Sequence, residues 1–250
     1  MALSSLHFLL TYECTAECDR CFVFGGPNAR DDLALKNLRH LLDEGERLGT
    51  VESVYFEGGE PFLRYDLLLA GVREARERGW NVGVVTNGFW ATSWEAAAEK
   101  LKPLAELGLA DFTVSDDQLH DNISLAATAR AAARELGMPV TTIHTEPGCQ
   151  GGVMYRGRAA EKLAAQVPPQ HWSTFNRCPH EQLDNPDRVH LDGQGWVHLC
   201  QGLVMGNGLM TPLADLVRDY DPARHPVVGP LLRSGPAGLA REFGVPEQET

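Results

Sequence analysis

Short apolar or β-branched runs alternate along the chain with longer segments whose apolar residues recur every three or four positions. Leu6 to Tyr12, Val51 to Phe56, Val82 to Thr86, Phe112 to Ser115 and Val140 to His144 have the length and composition of strands. Between them Leu38, Leu41, Leu42 and Leu48 line one helix face. Leu101, Leu104 and Leu107 line another, opened by a Thr92-x-x-Glu95 capping box and stopped by Gly108. An alanine-rich helix over Asn122 to Leu136 stops at Gly137, because glycine readily takes the left-handed conformation that closes a helix. Such alternation predicts right-handed βαβ units and hence an α/β fold with a parallel sheet, open or curled into a barrel. Active sites on such sheets lie at the C-terminal ends of the strands.

The pattern changes at Pro168-Pro169. RVHLDGQGWVHLC, residues 188–200, reads as two short strands around an Asp192-Gly193 turn. A helix start at Thr211-Pro212 and a stretch rich in Pro and Gly follow. The expected division is a core over 1–167 and a small C-terminal hairpin and helix appendage over 168–250.

Composition limits what that fold can do. With 250 residues and 43% hydrophobic content the chain can bury a sizeable core. Its 34 acidic against 22 basic residues give a net charge of -12, and no basic run tracks a phosphate backbone or an anionic bilayer. Neither nucleic acid nor a membrane is the expected partner. The apolar run Leu6 to Leu10 is too short for a signal sequence and lacks a basic flank, so the expectation is a cytoplasmic protein. In that reducing compartment six cysteines read as metal ligands or free thiols rather than disulfides.

Three of those cysteines, Cys14, Cys18 and Cys21, share the stretch CTAECDRC in the loop leaving the first strand. The spacing lets one loop wrap three sulfurs around a face of an iron–sulfur cluster, which normally takes four thiolates, so one iron would stay open. Two other readings fit the spacing: a structural zinc site completed by His7 or a distant residue, and unligated thiols. A four-thiolate electron carrier cannot be built from this loop.

Cys14-x-x-x-Cys18-x-x-Cys21 after a first strand, with Gly58-Gly59-Glu60-Pro61 ending the second, resembles the radical S-adenosylmethionine (SAM) superfamily over roughly residues 6–165. The resemblance implies a partial (β/α)6 TIM-like barrel and a 4Fe-4S cluster on Cys14, Cys18 and Cys21. It also implies SAM chelated to the open iron and cleaved reductively to a 5′-deoxyadenosyl radical that takes a substrate hydrogen atom. A reductase such as flavodoxin or ferredoxin would supply the electron.

Further site residues follow from the same resemblance. Gly58 and Gly59 would let the methionine end of SAM approach the backbone, Glu60 would accept from an ammonium, and Pro61 completes the motif. Thr86 and Asn87 match the position near the SAM ribose, although Asn-Gly there also reads as a plain turn. Ser115 and Asp116, with Asp117 and His120, either present acceptors and a proton carrier or cap a helix. His144 and Glu146 end the fifth strand, where His144 is either a pocket residue or a satisfied core histidine. Gly157-Arg158-Ala159 resembles an element of peptide-modifying members, and Arg158 would offer its fork to the SAM carboxylate. Arg20 stands where an aromatic residue is usual before the third cysteine, and Phe22 follows it instead.

The tail, with Cys178, Cys200, Gly202, Gly206 and Asn207, resembles the start of a SPASM or twitch subdomain. Only Cys149, Cys178 and Cys200 remain outside the first loop, too few for a second fully thiolate-ligated cluster. The catalytic candidates are Cys200, His120 and His144. The expected substrate is a ribosomally made peptide, with glycyl-radical activation of a partner protein and small-molecule modification as alternatives. Outside catalysis, the alternative is a zinc-stabilised binding protein.

Overall fold

The computed structural model describes residues 3–115, 123–143, 153–178 and 181–244. Strands and helices alternate as the periodicity predicts: β1 (Ser5–Leu9), α1 (Leu35–Leu48), β2 (Ser53–Glu57), α2 (Tyr65–Glu77), β3 (Asn81–Thr86), α3 (Trp94–Glu106), β4 (Asp111–Ser115), α4 (Ile123–Glu135) and β5 (Val140–Ile143). β1 ends before the expected Tyr12, whose N–H turns away from the sheet to the carbonyl of Asp31. The remaining elements are α5 (Arg158–Lys162), β6 (Arg188–Leu191), β7 (Trp196–Cys200), β8 (Leu203–Asn207), α6 (Leu213–Asp219) and α7 (Val228–Phe243).

The eight strands form one sheet in the order β5-β4-β3-β2-β1-β6-β7-β8. β1 to β5 are parallel and sequential, so right-handed connections put α1 to α4 on a single face. Leu6, Phe8, Val54, Phe56, Val82, Val84, Phe112 and Val114 point to that face and are fully buried. They pack with Leu38, Leu41 and Leu42 of α1, Leu68 and Val72 of α2, and Leu101 and Leu104 of α3. Each such Leu or Phe contributes about 1.5–3 kcal/mol by leaving water. The alternate residues of β1, β2 and β6, including His7, Tyr55, Glu57 and His190, share the opposite face.

The fold is therefore the expected mixed α/β architecture, with its sheet open rather than closed. The hairpin expected around Asp192-Gly193 is present as β6 and β7, and it is continuous with the sheet: β6 pairs with β1 in parallel and β7 pairs with β6 antiparallel. The sixth parallel strand thus flanks β1 and not β5. α6 is tied back to α1 by the Leu213 N–H, which donates to buried Glu44 Oε2 at 2.8 Å.

The cap of α3 is Ser93, one residue after the expected Thr92, because the helix begins at Trp94 and the Ser93 hydroxyl accepts from the Ala96 N–H at 3.2 Å. Ser93→Ala is expected to cost about 1 kcal/mol. Thermal unfolding should register this as a fall in Tm of about 2–4 °C, with little change for Thr92→Ala.

Candidate functional site

The loop carrying Cys14, Cys18 and Cys21 leaves the C-terminal end of β1, and the end of β2 presses on its entrance. Gly58 and Gly59 have no Cβ because the chain's own backbone occupies the space: a Cβ on Gly59 would lie 2.2 Å from the Glu13 carbonyl, and one on Gly58 would lie 2.4 Å from that of Thr11. The Gly59 N–H donates to Thr11 O at 2.7 Å and the Glu60 N–H to Glu13 O at 2.8 Å. The close approach anticipated for a ligand is made, at these atoms, by residues 11–13.

The loop closes on itself beyond the cysteines. The Cys14 N–H donates to Gly26 O and the Gly26 N–H to Tyr12 O. Arg158 binds it from the other side: Nη1 donates to Cys18 O and Nη2 to Gly25 O, both at 2.7 Å, and its backbone N–H donates to Cys21 O at 2.9 Å. This arginine is buried, and its neighbour Gly157, with φ of +58°, would carry a Cβ 2.6 Å from Cys21 O. The fork expected to face a carboxylate thus grips the cysteine loop.

Glu60 is fully buried at the centre of the site. Its Oε1 accepts from Phe62 N–H at 3.0 Å and from the Thr86 hydroxyl at 2.8 Å, and its Oε2 accepts from Asn87 N–H at 2.8 Å. Thr86 in turn accepts from Gly88 N–H and from the Trp90 indole, whose ring stacks on Phe62 at 4.1 Å. Pro61 opens the short 3-10 turn that Glu60 caps. Thr86 and Glu60 therefore join the end of β3 to the end of β2, and their sequence-assigned polar groups make internal bonds.

Asn87 completes the link to the cysteines. Its Nδ2 lies 3.5 Å from Cys14 Sγ and 3.2 Å from Thr15 Oγ1, while its Oδ1 accepts from Phe89 N–H. Backbone N–H groups also donate to sulfur, from Gly25 to Cys21 at 3.2 Å and from Ala16 to Cys14 at 3.5 Å. Burial, with Glu60 and the other two thiols nearby, pushes the Cys14 thiol up to about 11. Such a thiol is neutral until a cation compensates it, which is what a bound metal does.

Three thiols on one loop, with N–H groups donating to the sulfurs of Cys14 and Cys21, suit the donor set of an iron–sulfur cluster. Among the described residues, only His7, Glu57 and His190 are brought together as three ligand atoms within 4.8 Å of one another; the three thiols are not. A single zinc ion, with Zn–S bonds of about 2.3 Å, needs its sulfurs about 3.8 Å apart. His7, considered above as a fourth zinc ligand, bonds Glu57 instead at 2.7 Å.

Phe22 lies between Arg156, whose guanidinium carbon is 4.8 Å from the ring centre, and His190, whose ring meets it edge-on at 6.4 Å. Arg156 Nη1 also contacts Cys200 Sγ and Glu181. Ser115 stands at the end of β4, half-buried. Asp116, Asp117, His120, His144, Glu146 and Cys149 lie outside the described residues. Sequence reasoning missed the Arg64 bridge, which donates to Glu13 Oε2 at 2.7 Å and Asp32 Oδ2 at 2.8 Å, and the grouping of His7 with Glu57 and His190. Neither has a local signal, because the partners sit on separate elements.

The family model described as the radical SAM superfamily matches residues 8–145. Among curated relatives, YydG of Bacillus subtilis, named for peptide biosynthesis, is 27% identical over 111 residues, 44% of this chain and 35% of that protein. The tungsten-containing aldehyde ferredoxin oxidoreductase cofactor-modifying protein of Pyrococcus furiosus is 32% identical over 105 residues, 42% of this chain and 28% of that one. The matches thus span about a third of these relatives' own length. The crystal structure of BtrN in complex with AdoMet and 2-DOIA shares the fold, with a TM-score of 0.62 at 18% identity over 94% of this chain and 89% of that one. The family match stops short of the tail in which a SPASM or twitch element was expected. No helix among the described residues is long and apolar enough to cross a membrane. With more than half its length matched by that family model, this chain belongs to the radical SAM superfamily, whose members use SAM and an iron–sulfur cluster.

Proposed function

We propose that Cys14, Cys18 and Cys21 hold a 4Fe-4S cluster, and that the chain uses it with SAM to take a hydrogen atom from a ribosomally made peptide. The observation that carries this reading is the packing of the cysteine loop, clamped at the sheet edge between Gly58-Gly59-Glu60 and Arg158. When bound, the cluster and SAM supply an electron to the sulfonium and a 5′-deoxyadenosyl radical that removes the hydrogen atom. Three cysteines leave one iron without a protein ligand, which suits chelation of SAM there.

The chain's own work is positional. Glu60, buried and bonded to Thr86 and Asn87, holds the ends of β2 and β3 together under the loop. Asn87 and the Gly25 N–H donate to the sulfurs of Cys14 and Cys21, and with those sulfurs ligating a cluster such contacts would favour its more negative, reduced state. Gly58, Gly59, Glu60, Pro61, Thr86, Asn87, Ser115, Asp116, Phe22, His144 and Arg158 are the proposed neighbours of SAM, and Cys200, His120 and His144 the proposed groups nearest the substrate. The peptide reading rests on the Gly157-Arg158-Ala159 element and on the name of YydG. A flavodoxin or ferredoxin is the proposed electron donor, and the cytoplasm the proposed compartment. The proposed division is a core over 1–167 and a twitch-like extension over 168–250 that holds β6 to β8 and the helices after them.

Anaerobic reconstitution with iron and sulfide, then dithionite and SAM, should yield 5′-deoxyadenosine from the wild type and none from Cys18→Ala. Zinc in place of iron after reconstitution would overturn the reading. For substrate class, turnover is compared with a short-peptide library, nucleoside triphosphates or amino sugars. Stimulation by the small molecules alone would overturn the peptide assignment.

A further inference from the structure

On the sheet face opposite the helices, three side chains from three adjacent strands converge. His7 of β1 and His190 of β6 are register partners, and Glu57 at the end of β2 reaches between them. The two rings lie 5.0 Å apart between centroids. Their nitrogens approach the same carboxylate oxygen: His7 Nδ1 at 2.7 Å and His190 Nε2 at 3.4 Å from Glu57 Oε1.

These distances differ in kind. The first is an ordinary hydrogen bond, whereas 3.4 Å is long for N–H···O. His190 is only 8% exposed and, among the described residues, its Nε2 has no closer polar partner. A separation of about 3.3–3.5 Å is the edge between two ligands of a four-coordinate ion with bonds of about 2.0–2.2 Å, which the His190–Glu57 pair already has; the His7–Glu57 pair, at 2.7 Å, must open and give up its hydrogen bond for both to ligate one ion. Both rings are also held in plane: His7 stacks on Tyr55 at 4.7 Å and 12°, and Phe22 sets its edge against His190. No Lys or Arg pairs with Glu57 among the described residues; its carboxylate faces the two imidazoles.

We propose that His7, Glu57 and His190 form a binding site for a divalent transition-metal ion of the zinc class, separate from the cysteine loop. Two imidazoles and one carboxylate suit zinc, cobalt, nickel or ferrous iron over the harder magnesium and calcium. Three protein ligands leave a position for water or a substrate oxygen, as open zinc sites do. The ion would clip β6, which arrives late in the chain, to β1 and β2, so that its binding stabilises the junction of the C-terminal segment with the core.

The test separates this site from the thiols. The reconstituted wild-type protein, its cysteine loop filled with iron and sulfide, is equilibrated with zinc, desalted and assayed for metals. About one zinc per chain should remain beyond the iron, and His7→Ala and His190→Ala should each weaken zinc about tenfold or more in chelator competition. Cobalt added to a Cys14→Ser/Cys18→Ser/Cys21→Ser variant should give weak visible bands without the intense thiolate charge-transfer band near the ultraviolet. That variant makes no 5′-deoxyadenosine, so its cobalt spectrum does not depend on the radical reaction. Should it fail to fold, zinc retention by the reconstituted protein decides alone. A wild type that keeps no zinc, or a His190→Ala variant that keeps as much as the wild type, would overturn the site.

Discussion

Gly59→Ala is expected to lower Tm by about 6–12 °C and to leave the protein unable to retain iron after reconstitution. Its φ is ordinary, so alanine would be tolerated if there were room. There is none: the added carbon would sit 2.2 Å from Glu13 O and 2.5 Å from Tyr12 O, both backbone atoms that cannot swing aside. Relief requires separating β2 from the loop entrance, which breaks the bonds from Gly59 to Thr11 and from Glu60 to Glu13. Overpacking of this kind costs about 3 kcal/mol, and about 2–4 °C of Tm goes with each. Gly49→Ala is the control. It has φ of +73° with nothing within 4 Å of its Cβ position, so it carries backbone strain alone, about 1 kcal/mol. Calorimetry and iron content of the two variants check this; a Gly59→Ala protein with wild-type Tm and iron would mean that the glycine pair does not pack on residues 11–13.

The second large effect is expected at Arg158→Lys, which keeps the charge and removes the fork. A single ammonium cannot serve Cys18 O and Gly25 O together in the planar geometry that Arg158 uses. Losing one charge-assisted bond and leaving a carbonyl under-satisfied costs about 1.5–3 kcal/mol. The cost falls on the loop that bears Cys14, Cys18 and Cys21, so the variant should release iron to a chelator several-fold faster than wild type. The alternative assignment, a fork facing the carboxylate of SAM, predicts unchanged iron release and a raised KM for SAM. Iron release by absorbance and KM by chromatography separate the two, and wild-type values for both would remove Arg158 from the site.

Much of the site was legible in the sequence because its signals are local. The spacing of three cysteines, the glycine pair ending β2, and the periodicities of Leu38, Leu41 and Leu42 or of Val82 and Val84 each lie within one element. The internal contacts that were not legible are those in which a side chain's partner lies elsewhere in the chain. Glu60, read as an acceptor for an ammonium, accepts from Thr86 and Asn87, which come 26 and 27 residues later. Arg158, read as a carboxylate clamp, donates to carbonyls 140 and 133 residues earlier.

What the sequence by itself determined, then, is the alternation of strands and helices, the parallel sheet and the cysteine loop with its companion glycine motif. Periodicity, turn glycines and ligand spacing act over a few residues and survive in the bare chain. Only the tertiary structure decided that β6 joins the β1 edge, bringing His190 beside His7 and Glu57, and that buried polar groups are paired as they are. A strand edge offers the same backbone donors and acceptors to any partner, and a buried carboxylate accepts from whichever donor packing brings near. Register and pairing are therefore set by the assembled core and not by any segment of it.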